Sequence, residues 1–149
     1  RPEPEYGWIE PGPALPGRGA LTVARFKEKP GIAQAALLHR RGGLWSTMIM
    51  TVRAAALWDV ARALRPDMTR RFEALRPWLG SPGEEDAVAR AYQDMPSVNF
   101  SRDIVEPVAE RAAALPMDGV QWSDWGRPQR IASTLAEIGR TRSLPATCP

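Results

Sequence analysis

The sequence predicts an α/β layered domain, a sheet flanked by helices. Three observations carry that prediction. Strand-like apolar segments alternate with stretches of helical spacing along the whole chain. The run Leu44 to Val52 is nearly unbroken apolar, as expected of a strand covered on both faces by helices. No internal repeat interrupts the alternation, which favours layers over a solenoid. Few β-helix-β units are complete, which is what part of a larger sheet would look like.

Residues 1–20 hold five of the 15 prolines, broken by the apolar run Tyr6-Gly7-Trp8-Ile9. A short strand is expected there, followed by a turn-rich loop from Glu10 to Gly19. Leu21 to Phe26 is β-like, with β-branched Thr22 and Val23. Ile32 to Arg41 reads as a helix stopped by Gly42-Gly43. His39, the single histidine, sits in its last turn with Arg40 and Arg41, where positive charge suits the helix dipole. No neighbouring carboxylate in the sequence would orient it for a Ser–His pair.

After the Leu44 to Val52 strand, Ala54 to Leu64 carries Leu57, Val60, Ala61 and Leu64 at helical spacing. A further helix is expected over Thr69 to Leu79. Beyond the Gly80 to Gly83 break, Val88, Ala91, Tyr92 and Met95 form another stripe. Ser101 to Glu106 can start a helix that Pro107 ends or kinks. Ala113 to Met117 is read as a strand. A last helix from Pro128 to Ile138 places Ile131, Leu135 and Ile138 on one face, with Pro128 suited to its first turn. Residues 140–149 read as a loose tail, and the whole of 1–149 as a single unit.

Composition narrows the function classes. Hydrophobic residues make up 44% and charged residues 25% of the 149, ordinary for a globular protein. The longest apolar run falls well short of the ~20 residues that span a bilayer, so no membrane partner is expected. The single cysteine, Cys148, excludes an intrachain disulfide and is compatible with the cytoplasm. One His and one Cys cannot build a zinc site of the usual kind. Net charge is +3 and the pI about 9.6. The arginines are scattered among 17 acidic residues without a reader motif, so nucleic acid is not an expected partner. Nothing in the sequence sets an oligomeric state.

Of the 20 Lys and Arg residues only Lys27 and Lys29 are lysines, both within Phe26-Lys27-Glu28-Lys29-Pro30. This is either chance at a solvated strand end or a site wanting compact point charge for phosphate. Gly7, in mid-strand, marks close approach by a ligand or backbone, or a simple bulge. Asp124 in Trp122-Ser123-Asp124-Trp125-Gly126 either caps the following helix or offers a carboxylate to a hard cation such as Mg²⁺. No Gly-rich phosphate loop, paired catalytic carboxylates or nucleophile elbow is present.

In this order, the motifs resemble those of the sugar-1-phosphate nucleotidyltransferases, most closely the mannose-1-phosphate guanylyltransferases. The resembling segments are Glu5-Tyr6-Gly7-Trp8-Ile9, Phe26-Lys27-Glu28-Lys29-Pro30, Leu44-Trp45-Ser46-Thr47, Met95-Pro96-Ser97-Val98-Asn99-Phe100 and Trp122-Ser123-Asp124-Trp125-Gly126. They run from residue 5 to about 138. The resemblance implies a Rossmann-like, GT-A-like mixed sheet flanked by helices, of which this chain is the C-terminal, sugar-binding part. It implies transfer of a nucleotidyl group from a nucleoside triphosphate, GTP in the nearest members, to a sugar-1-phosphate such as mannose-1-phosphate, with Mg²⁺ as cofactor and pyrophosphate released.

Carried over by position, Gly7, Glu28 and Ser46 would face the sugar, Lys29 its phosphate, and Asp124 the metal. Lys29 and Asp124 would be the catalytic pair. Two positions depart from the family. Ser46 stands where an Asn is usual, and Met48 where many members have Gly. The family's Gly-rich nucleotide signature and first metal-binding Asp have no counterpart here. With Arg1 at the start, the resemblance implies a piece lacking the nucleotide-binding half and inactive alone. The alternative is a non-catalytic module that binds a sugar phosphate.

Overall fold

The computed structural model describes residues 2–120, 122–137 and 139, in two units, 1–116 and 117–149. The first unit is built on an antiparallel sheet of four strands in the order β3-β1-β2-β4. These are β1 (Gly7–Leu15), β2 (Ala20–Lys27), β3 (Leu44–Ser46) and β4 (Ala113–Ala114). The fold class is α/β, as expected.

β1 is longer than the sequence suggests, because Pro11 and Pro13 lie inside it rather than in a loop. The physical reason is position in the sheet. Gly7, Trp8 and Ile9 lie in the stretch that β3 covers, whereas from Glu10 onward β1 pairs with β2 alone. A proline lacks the N–H that a paired edge would need, and an open edge tolerates that. The register also shifts between Glu10 and Pro11 and again between Pro11 and Ala14. The true turn is confined to residues 16–19, with Gly17 and Gly19 at φ +68° and +59°.

Alternation along the strands sends side chains to two faces. Trp8 and Trp45, directly opposite each other, lie with Ala35 and Leu38 of α1 (Ile32–Arg40) on one face. Val23 and Phe26 pack with Ile9, Leu44, Val105, Ala109 and Ala114 on the other. Gly43 closes α1 as expected, its N–H donating to the Leu38 carbonyl at 2.8 Å, with Gly42 at φ +76°.

The expected nine-residue strand from Leu44 to Val52 is a correction. Only Leu44–Ser46 pairs; residues 47–53 have no regular structure, and Ile49 is 74% exposed. Hydrophobicity alone does not make a strand. β1 begins at Gly7, opposite Ser46, so no backbone in the described sheet remains for residues 47–52 to pair with.

The helices α2 (Ala54–Leu64), α3 (Pro66–Glu73) and α4 (Glu84–Tyr92) follow. α2 has its expected bounds, with Val60 buried and Leu57, Ala61 and Leu64 half-buried. The helix expected over Thr69 to Leu79 instead starts at Pro66, and a separate 3₁₀ turn covers Arg76–Trp78. In α4 the buried pair is Ala87 and Ala91, while Tyr92 is exposed and lies edge-on to Phe72, with centroids 5.8 Å apart. Residues Ser101–Val105 form a π turn and Glu106–Arg111 a 3₁₀ segment with a break at Val108, immediately after Pro107.

In the second unit α5 spans Pro128–Glu137, with Pro128 at its first position. Ile138, Cys148 and the tail 140–149 lie outside the described residues. Among the described residues no helix is long and apolar enough to cross a membrane.

Candidate functional site

Gly7 sits directly opposite Ser46 across the β1–β3 pair. A Cβ placed on Gly7 would stand 2.9 Å from Phe26 Cζ and 3.1 Å from Glu28 Oε2. The missing side chain therefore makes room for the end of β2, and the Glu28 carboxylate lies against the Gly7 backbone. Of the two readings of Gly7, close approach describes it. Glycine here is a packing requirement, since its own φ is not among the positive ones. The structure thus brings Gly7, Glu28 and Ser46 together from three segments.

The two lysines separate in role. Lys27 Nζ is paired with Glu106 Oε1 at 2.8 Å, both side chains being partly buried. Lys29 is exposed and makes no ion pair among the described residues. Its φ is +45°, a left-handed conformation uncommon for a side-chain-bearing residue. The residue before a proline also prefers extended backbone, and Pro30 follows directly. Such a conformation costs on the order of 1–2 kcal/mol and persists only where its surroundings impose it.

Ser46 uses its hydroxyl oxygen locally, accepting from the Met48 N–H at 3.3 Å. This short turn puts Met48 at φ +56° and ends the strand. The Met48 sulfur in turn accepts from the Ser101 hydroxyl at 3.7 Å, at the start of the π turn.

Glu106 is the residue that reading the sequence missed. One carboxylate oxygen takes the Lys27 ammonium and the other accepts the Glu28 N–H at 3.3 Å. It lies 78 positions from Glu28, and no local motif marks it. The π turn that delivers it is pinned by Asp103, which accepts the Asn99 N–H at 2.8 Å and the Arg102 Nε–H at 3.0 Å. The Arg102 hydrogen bond, then the Asn99 amide, hold the Asp103 carboxyl below the usual carboxylate range.

Asp124 belongs to the second unit. Its Oδ1 accepts the Gly126 N–H at 3.0 Å, and both oxygens meet Arg130 Nη1, at 2.7 and 2.8 Å. Arg130 is the third residue of α5, so Asp124 braces the start of that helix through the guanidinium. Mg²⁺ could be held by one carboxylate together with waters and phosphates. Here both oxygens are committed to a cation, and no group of three or more His, Cys, Asp or Glu gathers among the described residues. As they stand, these residues do not fit a divalent ion. A groove of about 270 Å³ lies elsewhere, between α3, the 76–78 turn and α4, and shares no lining residue with the Gly7 site.

No family model matches the chain. Xanthan biosynthesis protein XanB of Xanthomonas campestris pv. campestris, from strains B100 and ATCC 33913, is 29% identical over 129 residues, 84% of this chain and 26% of the relative. A solved structure described as mannose-1-phosphate geranyltransferase from Thermus thermophilus superposes with a TM-score of 0.60 at 28% identity. That match covers 76% of this chain and 31% of the other. The chain therefore spans between a quarter and a third of the proteins it matches. In sequence and in fold, it is similar to a portion of a sugar-1-phosphate nucleotidyltransferase.

Proposed function

We propose that this chain supplies the sugar-phosphate side of a nucleotidyl transfer, with mannose-1-phosphate the sugar phosphate and GTP the nucleotide of the complete reaction. In that reaction a phosphate oxygen of the sugar-1-phosphate attacks the α-phosphorus of the triphosphate. The bond from that phosphorus to the bridging oxygen breaks, and pyrophosphate leaves. No protein nucleophile is needed; positioning and charge neutralisation supply the catalysis.

The observation that carries the reading is the convergence at Gly7. The Glu28 carboxylate lies against a residue that has no side chain, and Ser46 stands directly across the strand pair. A carboxylate accepts sugar hydroxyls, and the tight packing at the buried Gly7 fixes where the half-buried Glu28 carboxylate stands. Lys29, the neighbour of Glu28, extends an ammonium without a protein partner among the described residues, suited to a phosphate. Neither Ser46 nor Asp124 adds as much, since the Ser46 oxygen serves Met48 and the Asp124 oxygens serve Arg130.

Those two commitments favour a second reading, a module that binds the sugar phosphate without turnover. Calorimetric titration with mannose-1-phosphate, with mannose and with inorganic phosphate tests the shared core of both. Binding of the phosphorylated sugar at least about tenfold tighter than either part is expected, and equal or undetectable binding of all three would sink both readings. Addition of GTP and Mg²⁺ then separates them, since pyrophosphate release from the 149-residue chain itself would contradict inactivity of the isolated chain.

A further inference from the structure

Glu106 does two things with one side chain. Its Oε1 holds the Lys27 ammonium at 2.8 Å, and its Oε2 accepts the backbone N–H of Glu28 at 3.3 Å. The chain on either side of it is anchored to the sheet. Val105 and Ala109 pack with Val23 and Phe26 of β2, so the carboxylate is fixed at the end of that strand. The segment it grips is the one with the costly geometry, Lys29 at φ +45° ahead of Pro30. Left to itself, a solvated strand end relaxes to extended backbone. A carboxylate holding the preceding amide and the side chain before it opposes that relaxation.

We infer that Glu106 is a positioning residue for the sugar-phosphate site, setting the direction of Glu28 and Lys29 without touching the ligand. This rests on the reading under Proposed function. Lys27 is then the counter-ion that orients the carboxylate, and is not a phosphate ligand. The paired lysines thus divide the work, one holding the frame and one facing outward.

The test compares Glu106→Ala with Lys27→Met in the whole chain, reading amide hydrogen exchange at Glu28, thermal stability and mannose-1-phosphate affinity. Lys27→Met removes the ion pair but leaves the acceptor for the Glu28 N–H. Glu106→Ala removes both. Glu106→Ala is expected to speed exchange at Glu28 by about tenfold or more and to weaken mannose-1-phosphate by about tenfold, since small misplacements at a site are expensive. Lys27→Met is expected to weaken it by less than about threefold, and Glu106→Asp to recover part of the affinity.

Equal affinity in Glu106→Ala and the parent would overturn the inference. So would equal losses in both variants that track their melting temperatures, because the ion pair's stability would then explain everything. If the parent chain binds no mannose-1-phosphate, the functional reading fails first and takes the ligand role of Glu106 with it. Exchange at Glu28 would still show whether the clamp exists. Should Glu106→Ala fail to fold, Glu106→Met carries the same comparison, because it likewise removes both acceptor oxygens while keeping the side-chain bulk.

Discussion

Two acidic residues stand out in the sequence, and the structure treats them differently. Glu28 sits where four segments meet: its carboxylate is against Gly7, its N–H is held by Glu106, and Ser46 lies across from Gly7. Asp124 is held by Gly126 and Arg130, both within six residues of it. Contacts made at long sequence separation are dear in loop-closure entropy, and a side chain held that way is fixed by the fold as a whole. Contacts made within one turn of chain are cheap and mostly secure a local element, here the start of α5. A carboxylate backed by distant segments is the better candidate for a built site.

The largest effect that would break this contrast belongs to Gly7. Gly7→Ala brings a methyl to 2.9 Å from the Phe26 ring and 3.1 Å from the Glu28 carboxylate. It is expected to cost about 1–3 kcal/mol in urea unfolding through overpacking, and to abolish measurable sugar-phosphate binding. A neutral outcome would mean that the strand ends yield easily and that nothing is held there.

Lys29→Gly sharpens the contrast by moving stability and binding in opposite directions. Glycine adopts φ +45° without a side-chain clash, so stability should rise by up to about 1 kcal/mol. Loss of a charge-assisted contact, worth about 1.5–3 kcal/mol, should weaken a phosphorylated sugar by about ten- to hundredfold. Unchanged affinity would leave Lys29 as a strained residue without a use.

Asp124→Asn is expected to cost only about 0.5–1 kcal/mol, since its partner pair is partly solvated, with 33% and 15% of the side chains exposed. Circular dichroism should report slight loss at α5 and calorimetry no change in mannose-1-phosphate affinity. A large loss of affinity would restore Asp124 to the site.

The smallest effect is a pH dependence at the turn that delivers Glu106. Asp103 is held below the ordinary carboxylate range by Arg102 and the Asn99 amide. A carboxyl with depressed folded-state pKa contributes stability that is present above its ordinary value, about 3.9, and lost as pH falls through the depressed one. Protection of the 99–106 amides should therefore be flat from neutral pH down to about 4 and decline below it. In Asp103→Asn that decline should be smaller.

Much of the local structure can be read from residue order. The Gly42-Gly43 stop, the Leu57-Val60-Ala61-Leu64 stripe and Pro128 at a helix start are decided by neighbours within a turn or two. Gly7, Glu28, Ser46 and Lys29 can be singled out because their motifs are short and ordered. The misses share one cause. Pro11 and Pro13 read as loop, although one open edge lets them stay in β1. Leu44 to Val52 reads as one strand, although only three residues find a pairing partner. Tyr92 falls on the expected apolar stripe of α4 beside Ala91, yet Ala91 is buried as expected, with Ala87, while Tyr92 is exposed.

By itself the sequence determined the bounds of α2, the α/β class and the motif order that points to a sugar-phosphate site, because capping, periodicity and turn chemistry act over a few residues. Tertiary structure alone decided which lysine is paired and which faces out, since Glu106 meets Lys27 across 79 positions. It likewise decided that Gly7 must lack a side chain and that Asp124 is spoken for by Arg130. Those outcomes depend on which backbones pair and which charges meet, and pairing is a property of the folded sheet that no single segment encodes.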